Sequence, residues 1–108
     1  WGLVEVTDRA EVVRITGRGL SEPTATAARM FAGIHILHPR LLKYLPAGEE
    51  CSIIDAYVQG IQEGERIVGF DFDGFWSDVG TPERYAQVEQ DAAAGRLSLS
   101  ARKVGFSR

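Results

Sequence analysis

The stretch Phe75-Trp76-Ser77-Asp78-Val79-Gly80-Thr81-Pro82-Glu83 leaves this chain the least conformational freedom. Its aromatic start reads as a short strand over residues 75–78, with Asp78 at the C-terminal end. Gly80 lets the backbone turn tightly. Thr81 is a good N-cap, and Pro82 suits the first helical position, where no backbone N–H is needed. A helix then runs through Tyr85, Val88 and Ala92 to Gly95. A strand that passes straight into a helix is an α/β junction, and in open α/β sheets ligands collect outside the C-terminal ends of strands.

The rest of the chain alternates in the same way. Residues 2–7 and 11–16 are β-rich and flank the turn Asp8-Arg9-Ala10, which predicts a hairpin. Gly17-Arg18-Gly19 breaks the pattern, and Ser21-Glu22-Pro23-Thr24 continues a loop. Residues 29–37 are apolar on both alternating faces, which predicts a central, buried strand. Pro39 opens a short helix over residues 40–45, which Pro46 ends. Residues 52–64 form the clearest helix. Ser52 and Asp55 resemble a capping box, Ile53, Ile54, Tyr57, Val58 and Ile61 share a face, and Gly64 suits a left-handed exit. Residues 66–72 return to strand character. The class is α/β with a mixed sheet.

Composition removes several function classes. The net charge of −3 and scattered basic residues argue against a large nucleic-acid footprint. No apolar run approaches the ~20 residues of a membrane span, and no signal-peptide pattern opens the chain. Cys51 is the single cysteine, so there is no internal disulfide and no cysteine-based metal pattern. These traits fit a cytoplasmic protein. The chain opens at Trp1 inside what reads as a strand, so a longer protein is expected.

Asp78 is the first candidate for chemistry. A carboxylate at a strand end beside a helix N-terminus can hold Mg²⁺, which takes one or two carboxylates plus substrate phosphate oxygens. The competing reading is a turn aspartate satisfied by backbone N–H groups. His35 and His38 read as packed or boundary histidines, because neither has a second histidine at metal spacing. Asp71 and Asp73 alternate with Phe70 and Phe72 as in a half-buried strand, with Asp73 close enough in sequence to support Asp78. Trp76 reads as a packing anchor, Glu49-Glu50 as a solvated loop, and Cys51 as a helix-entry residue without redox role.

Trp76-x-Asp78-Val79-Gly80-Thr81-Pro82-Glu83, followed by Tyr85 and Asp91 on a helix, resembles the final signature of the sugar-1-phosphate nucleotidyltransferases, including the mannose-1-phosphate guanylyltransferases. Three further stretches agree in order. Trp1-Gly2-Leu3-Val4-Glu5 is similar to a family strand whose glycine lies against the sugar. Phe31-Ala32-Gly33-Ile34-His35-Ile36-Leu37 is similar to another beside the sugar, and Ser52-Ile53-Ile54 with Tyr57 and Gly64 resembles the helix that follows.

The resemblance implies that Asp78 is the catalytic residue that binds Mg²⁺, and that Gly2, Phe31, Ala32 and Gly33 line the sugar pocket. It implies the C-terminal portion of a Rossmann-like three-layer α/β/α fold over residues 1–95, with residues 96–108 as a tail. The implied partners are a sugar 1-phosphate, a nucleoside triphosphate and the N-terminal part of the same domain. Nucleic acid and membrane are not implied, and a homo-oligomer stays open. Where the family carries Glu-Lys-Pro this chain has Gly17-Arg18-Gly19. Arg18 keeps a positive charge for phosphate, and Glu22 is the candidate replacement for the acidic sugar ligand. Phe31 stands where the mannose enzymes often have Asn, which leaves the sugar open; by itself it reads as core. The family's glycine-rich motif and first metal-binding aspartate are absent from these residues, which implies a chain that is inactive alone. A non-catalytic regulatory subunit that binds sugar nucleotides is the alternative.

Overall fold

The computed structural model describes residues 2–22 and 24–97. Expectations resting on Trp1, on Pro23 and on residues 98–108 of the tail lie outside the described residues. The chain divides into two compact units, Trp1–Asp71 and Phe72–Arg108.

The first unit is built on a four-stranded antiparallel sheet ordered β3-β2-β1-β4, where β1 is Leu3–Val6, β2 is Val12–Ile15, β3 is Arg18–Gly19 and β4 is Ala27–Met30. The predicted hairpin is present. β1 and β2 pair Val4 with Ile15 and Glu5 with Arg14, and a bulge between Glu5 and Val6 shifts the register so that Val6 faces Val12. Thr7 makes the turn. Its hydroxyl accepts from the N–H groups of Arg9 and Glu11, while its carbonyl accepts from Ala10. These bonds hold Ala10 at φ 59°, which a non-glycine residue adopts only at some cost. Every pairing is antiparallel among the described residues, so the expected mixed sheet is corrected.

Alternation sends Val4 and Val6 to one face, and the bulge, which gives β2 one extra residue, brings both Ile15 and Val12 to that same face. That face meets helix α1, Ile53–Gln62, through Tyr57 and Ile61, one turn apart. Each such side chain contributes about 1.5–3 kcal/mol when fully buried. Ser52 caps α1 by accepting from the Ile54 N–H at 3.2 Å, and Gly64 leaves the helix at φ 87°. The predicted short helix is a 3₁₀ helix, Pro39–Tyr44. Glu65 ties it to the exit of α1. Its carboxylate accepts from the Tyr44 hydroxyl at 3.1 Å and pairs with Lys43 at 3.2 Å and Arg40 at 3.3 Å.

In the first unit two predicted strands are corrected. The central strand expected over residues 29–37 is instead the edge strand β4, which ends at Met30. Gly33, at φ 79°, turns the chain out of extended geometry, and Ile34 and Ile36 are 82% and 101% exposed. The strand begins early because Ala27 and Ala28 pair with Val6 and Glu5, so pairing overrides the low β propensity of alanine. The strand expected over residues 66–72 is reduced to a bridge between Val68 and Glu11. The carbonyl of Ile67 accepts from Val12 and the N–H of Gly69 donates to Ala10, and beyond them Phe70 is 91% exposed.

In the second unit, residues 75–78 form no strand. Helix α2, Pro82–Ala93, follows the predicted start, with the Thr81 hydroxyl accepting from the Arg84 N–H at 3.3 Å. It leaves at Gly95 with φ 72°. None of its residues is buried.

Candidate functional site

Asp78 sits in a turn that its own side chain makes. Oδ1 accepts from the Gly80 N–H at 2.9 Å, an Asx turn that places the backbone for Thr81 to cap α2. Oδ2 pairs with the guanidinium of Arg84, in the first turn of the helix. Asp78 is thus both the satisfied turn aspartate and a half-buried carboxylate at a helix start. The pairing with Arg84 was not legible in the sequence; an arginine at the third helical position after Asp-Val-Gly-Thr is its only sign.

Mg²⁺ takes hard oxygen donors, and a single protein carboxylate completed by phosphate oxygens suffices. The Asp78 carboxylate has the right donors for one such ligand, but Oδ1 accepts from Gly80 and Oδ2 pairs with Arg84, so a cation at Oδ2 would have to displace the guanidinium. Among the described residues, no group of three or more His, Cys, Asp or Glu side chains is placed to hold a metal ion.

In the first unit the sheet brings Gly2 and Phe31 together: the Phe31 N–H donates to the Gly2 carbonyl at 3.1 Å, just past the Leu3–Met30 pair. Gly2 has a packing reason to be glycine, since a Cβ there would lie 2.8 Å from Cγ2 of Thr16. It also borders a shallow concavity of about 470 Å³, shared with Glu5, Thr16, Gly17 and Ala28. Phe31 is half-buried against the core, as its core reading predicts, while Ala32 and Gly33 are exposed.

Arg18 is not one of these lining residues, although its neighbour Gly17 is. Its Nη1 is 2.8 Å from Asp55 Oδ1 at the start of α1, so the guanidinium has a carboxylate where a phosphate was expected. Asp55 is used in this pair, while its N–H donates to the Ser52 carbonyl at 3.0 Å. Glu22 is exposed on the loop after β3, Cys51 is exposed beside the α1 cap, and Asp71 pairs with Arg29 at 3.0 Å.

His35 joins a cluster that periodicity did not show. Its Nδ1 lies 2.6 Å from the Tyr57 hydroxyl. Its ring meets Phe31 edge-on at 5.4 Å, and Phe31 meets Tyr57 edge-on at 6.4 Å. Burial raises the Tyr57 hydroxyl above its ordinary pKa, so it stays protonated.

No helix among the described residues is long and apolar enough to cross a membrane. No solved structure matches the chain at a significant level. The family model for nucleotidyl transferases matches residues 1–95, and the chain belongs to that family.

Proposed function

We propose that this member of the nucleotidyl transferase family serves an enzyme that transfers a nucleotidyl group from a nucleoside triphosphate to a sugar 1-phosphate. The products are an NDP-sugar and pyrophosphate. The observation that carries the reading is the Asp78 turn: within the matched segment, a half-buried carboxylate is fixed by the Gly80 N–H at the start of α2.

In this reading the chain supplies the sugar side of a three-layer α/β/α domain and one metal ligand. The sugar phosphate oxygen attacks the α-phosphorus and pyrophosphate leaves, so the protein mainly positions groups and neutralises charge. Asp78 would hold Mg²⁺, which when bound neutralises phosphate charge. Gly2 and the segment Phe31, Ala32 and Gly33 line the sugar pocket. Arg18 meets the sugar phosphate by exchanging Asp55 for it, and bidentate pairing with phosphate favours arginine in that role. Glu22 supplies the acidic sugar contact. The site belongs to a cytoplasmic enzyme, and these residues alone are inactive.

Asp78→Ala in the complete enzyme tests this. Pyrophosphate release from a sugar 1-phosphate should fall by at least 10²-fold, with the far-ultraviolet spectrum unchanged. Near-normal turnover at saturating Mg²⁺ would remove Asp78 from the metal site. The engagement of Arg18 by Asp55 favours a second reading, a regulatory subunit that binds sugar nucleotides without turning them over. Calorimetric binding of an NDP-sugar with no pyrophosphate release by the complete protein would select it.

A further inference from the structure

Between β4 and the 3₁₀ helix the chain leaves the sheet, turns at Gly33, and comes back to touch α1 at His35. Ala32, Gly33 and Ile34 are exposed, and among the described residues none of their peptide groups is hydrogen-bonded. A Cβ on Gly33 would meet nothing within 4 Å, so no packing holds the tip itself. Both ends, however, are fixed. On one side the Phe31 N–H bonds to Gly2, and the Phe31 ring packs on the core. On the other, His35 Nδ1 and the Tyr57 hydroxyl are 2.6 Å apart, and Tyr57 is 6% exposed within the core cluster. Phe31, His35 and Tyr57 are in mutual ring contact, at centroid distances of 5.4, 5.8 and 6.4 Å.

An unsupported turn of this kind samples many conformations, and a ligand that needs one of them loses affinity to the ordering. Rings packed at both ends remove that loss beforehand. The tip then offers peptide N–H and C=O groups in a fixed arrangement, the type of partner that sugar hydroxyls take. We propose that Tyr57 and His35 are positioning residues: their hydrogen bond, closed by edge contacts to Phe31, holds the peptide groups of Ala32, Gly33 and Ile34 ready for the hydroxyls of the sugar 1-phosphate. The proposal rests on the sugar-side reading of the segment from Phe31 to Gly33. Because the Tyr57 hydroxyl stays protonated, it is the donor when the imidazole carries its proton on Nε2.

Tyr57→Phe removes the hydroxyl and keeps the ring in the core, so it separates positioning from folding. In the complete enzyme, steady-state kinetics with glucose 1-phosphate and mannose 1-phosphate would be compared with ¹⁵N backbone order parameters of residues 32–34 without ligand. Tyr57→Phe should raise KM for the accepted sugar 1-phosphate about five- to tenfold, leave KM for the nucleoside triphosphate unchanged, and lower the order parameters below about 0.6. His35→Ala should do the same, and His35→Asn, which keeps an acceptor near the Nδ1 position, should restore most of the loss. Unchanged order parameters and sugar KM in Tyr57→Phe overturn the positioning role alone. An equal rise in both KM values also overturns it, because a general loss of structure would do that. If the unaltered enzyme turns over no sugar 1-phosphate while transferring nucleotide to an acceptor of another class, the sugar-side reading falls, and this inference with it.

Discussion

The two units are held by different physics. Trp1–Asp71 depends on contacts between distant parts of the chain: β1 is flanked by β2 and β4, and Val4, Val6, Val12 and Ile15 pack on Tyr57 and Ile61. The described part of Phe72–Arg108 depends on neighbours in sequence. Asp78 accepts from Gly80 and pairs with Arg84, Thr81 caps α2, and Arg96 closes its far end on Asp91 at 2.8 Å. α2 buries none of its residues, whereas α1 buries half of its ten. Local rules can therefore place a carboxylate with accuracy, while the segment near Phe31 is placed only once a sheet and a helix have packed.

The sharpest way to break this contrast is in the core. Ile61→Ala should lower the unfolding free energy of the first unit by about 2–5 kcal/mol, since Ile61 is 4% exposed against β1 and β2. Urea titration followed by circular dichroism would measure it; a loss under 1 kcal/mol would mean that the packing described here is not what holds the sheet. Next in size, Thr81→Ala should cost helix α2 about 1 kcal/mol by removing its cap. Cα chemical shifts over residues 82–93 should move toward coil while those of β1 and β2 stay put. A helix unaffected by the substitution would show that local capping does not govern it.

The smallest effect is with pH. Burial first, then Glu65, raises the Tyr44 hydroxyl, and burial raises Tyr57; bonds to Tyr44 and Glu65 raise Lys43. Groups raised on folding contribute stability that is full below their unfolded values, 10.0 for tyrosine and 10.5 for lysine, and is lost as pH rises through the folded values. Glu65 is lowered from 4.5, first by Lys43, so its contribution is present above 4.5 and lost as pH falls through its folded value. The urea midpoint of the first unit should be level between these limits and decline on both sides. A midpoint that rises above pH 10.5 would contradict the tyrosine environments.

What could be read in advance follows the same division. Ser52, Gly64, Thr81, Pro82 and Gly95 each announce a helix end through local chemistry, and both helices lie where those residues put them. The hairpin was legible because its turn is short. Residues 29–37 were misplaced because apolar alternation records only side-chain type; it says nothing of the left-handed turn at Gly33 or of a partner strand. In the candidate site, Asp78 was visible as a carboxylate just before a helix start, though no strand leads into it; Arg84 beside it was not visible, since the contact exists only after the Asx turn folds the chain back. The link from His35 to Tyr57 joins a loop to a helix 22 residues further on, and no spacing rule connects those two.

The Thr7 turn has a consequence for how cheaply the sheet closes. Bringing Val12 against Val6 closes only residues 7–11, whereas bringing Ala27 against Val6 closes residues 7–26, a loop four times as long. Two doublings of length cost roughly 1.2 kcal/mol more in chain entropy. β4 must recover that difference with two alanines among its four residues and with Ala28, Arg29 and Met30 all exposed. The edge that carries Phe31 to its place is thus the entropically dearest strand of the sheet, and the bond from Gly2 to Phe31 and the rings beyond it are what offset that cost.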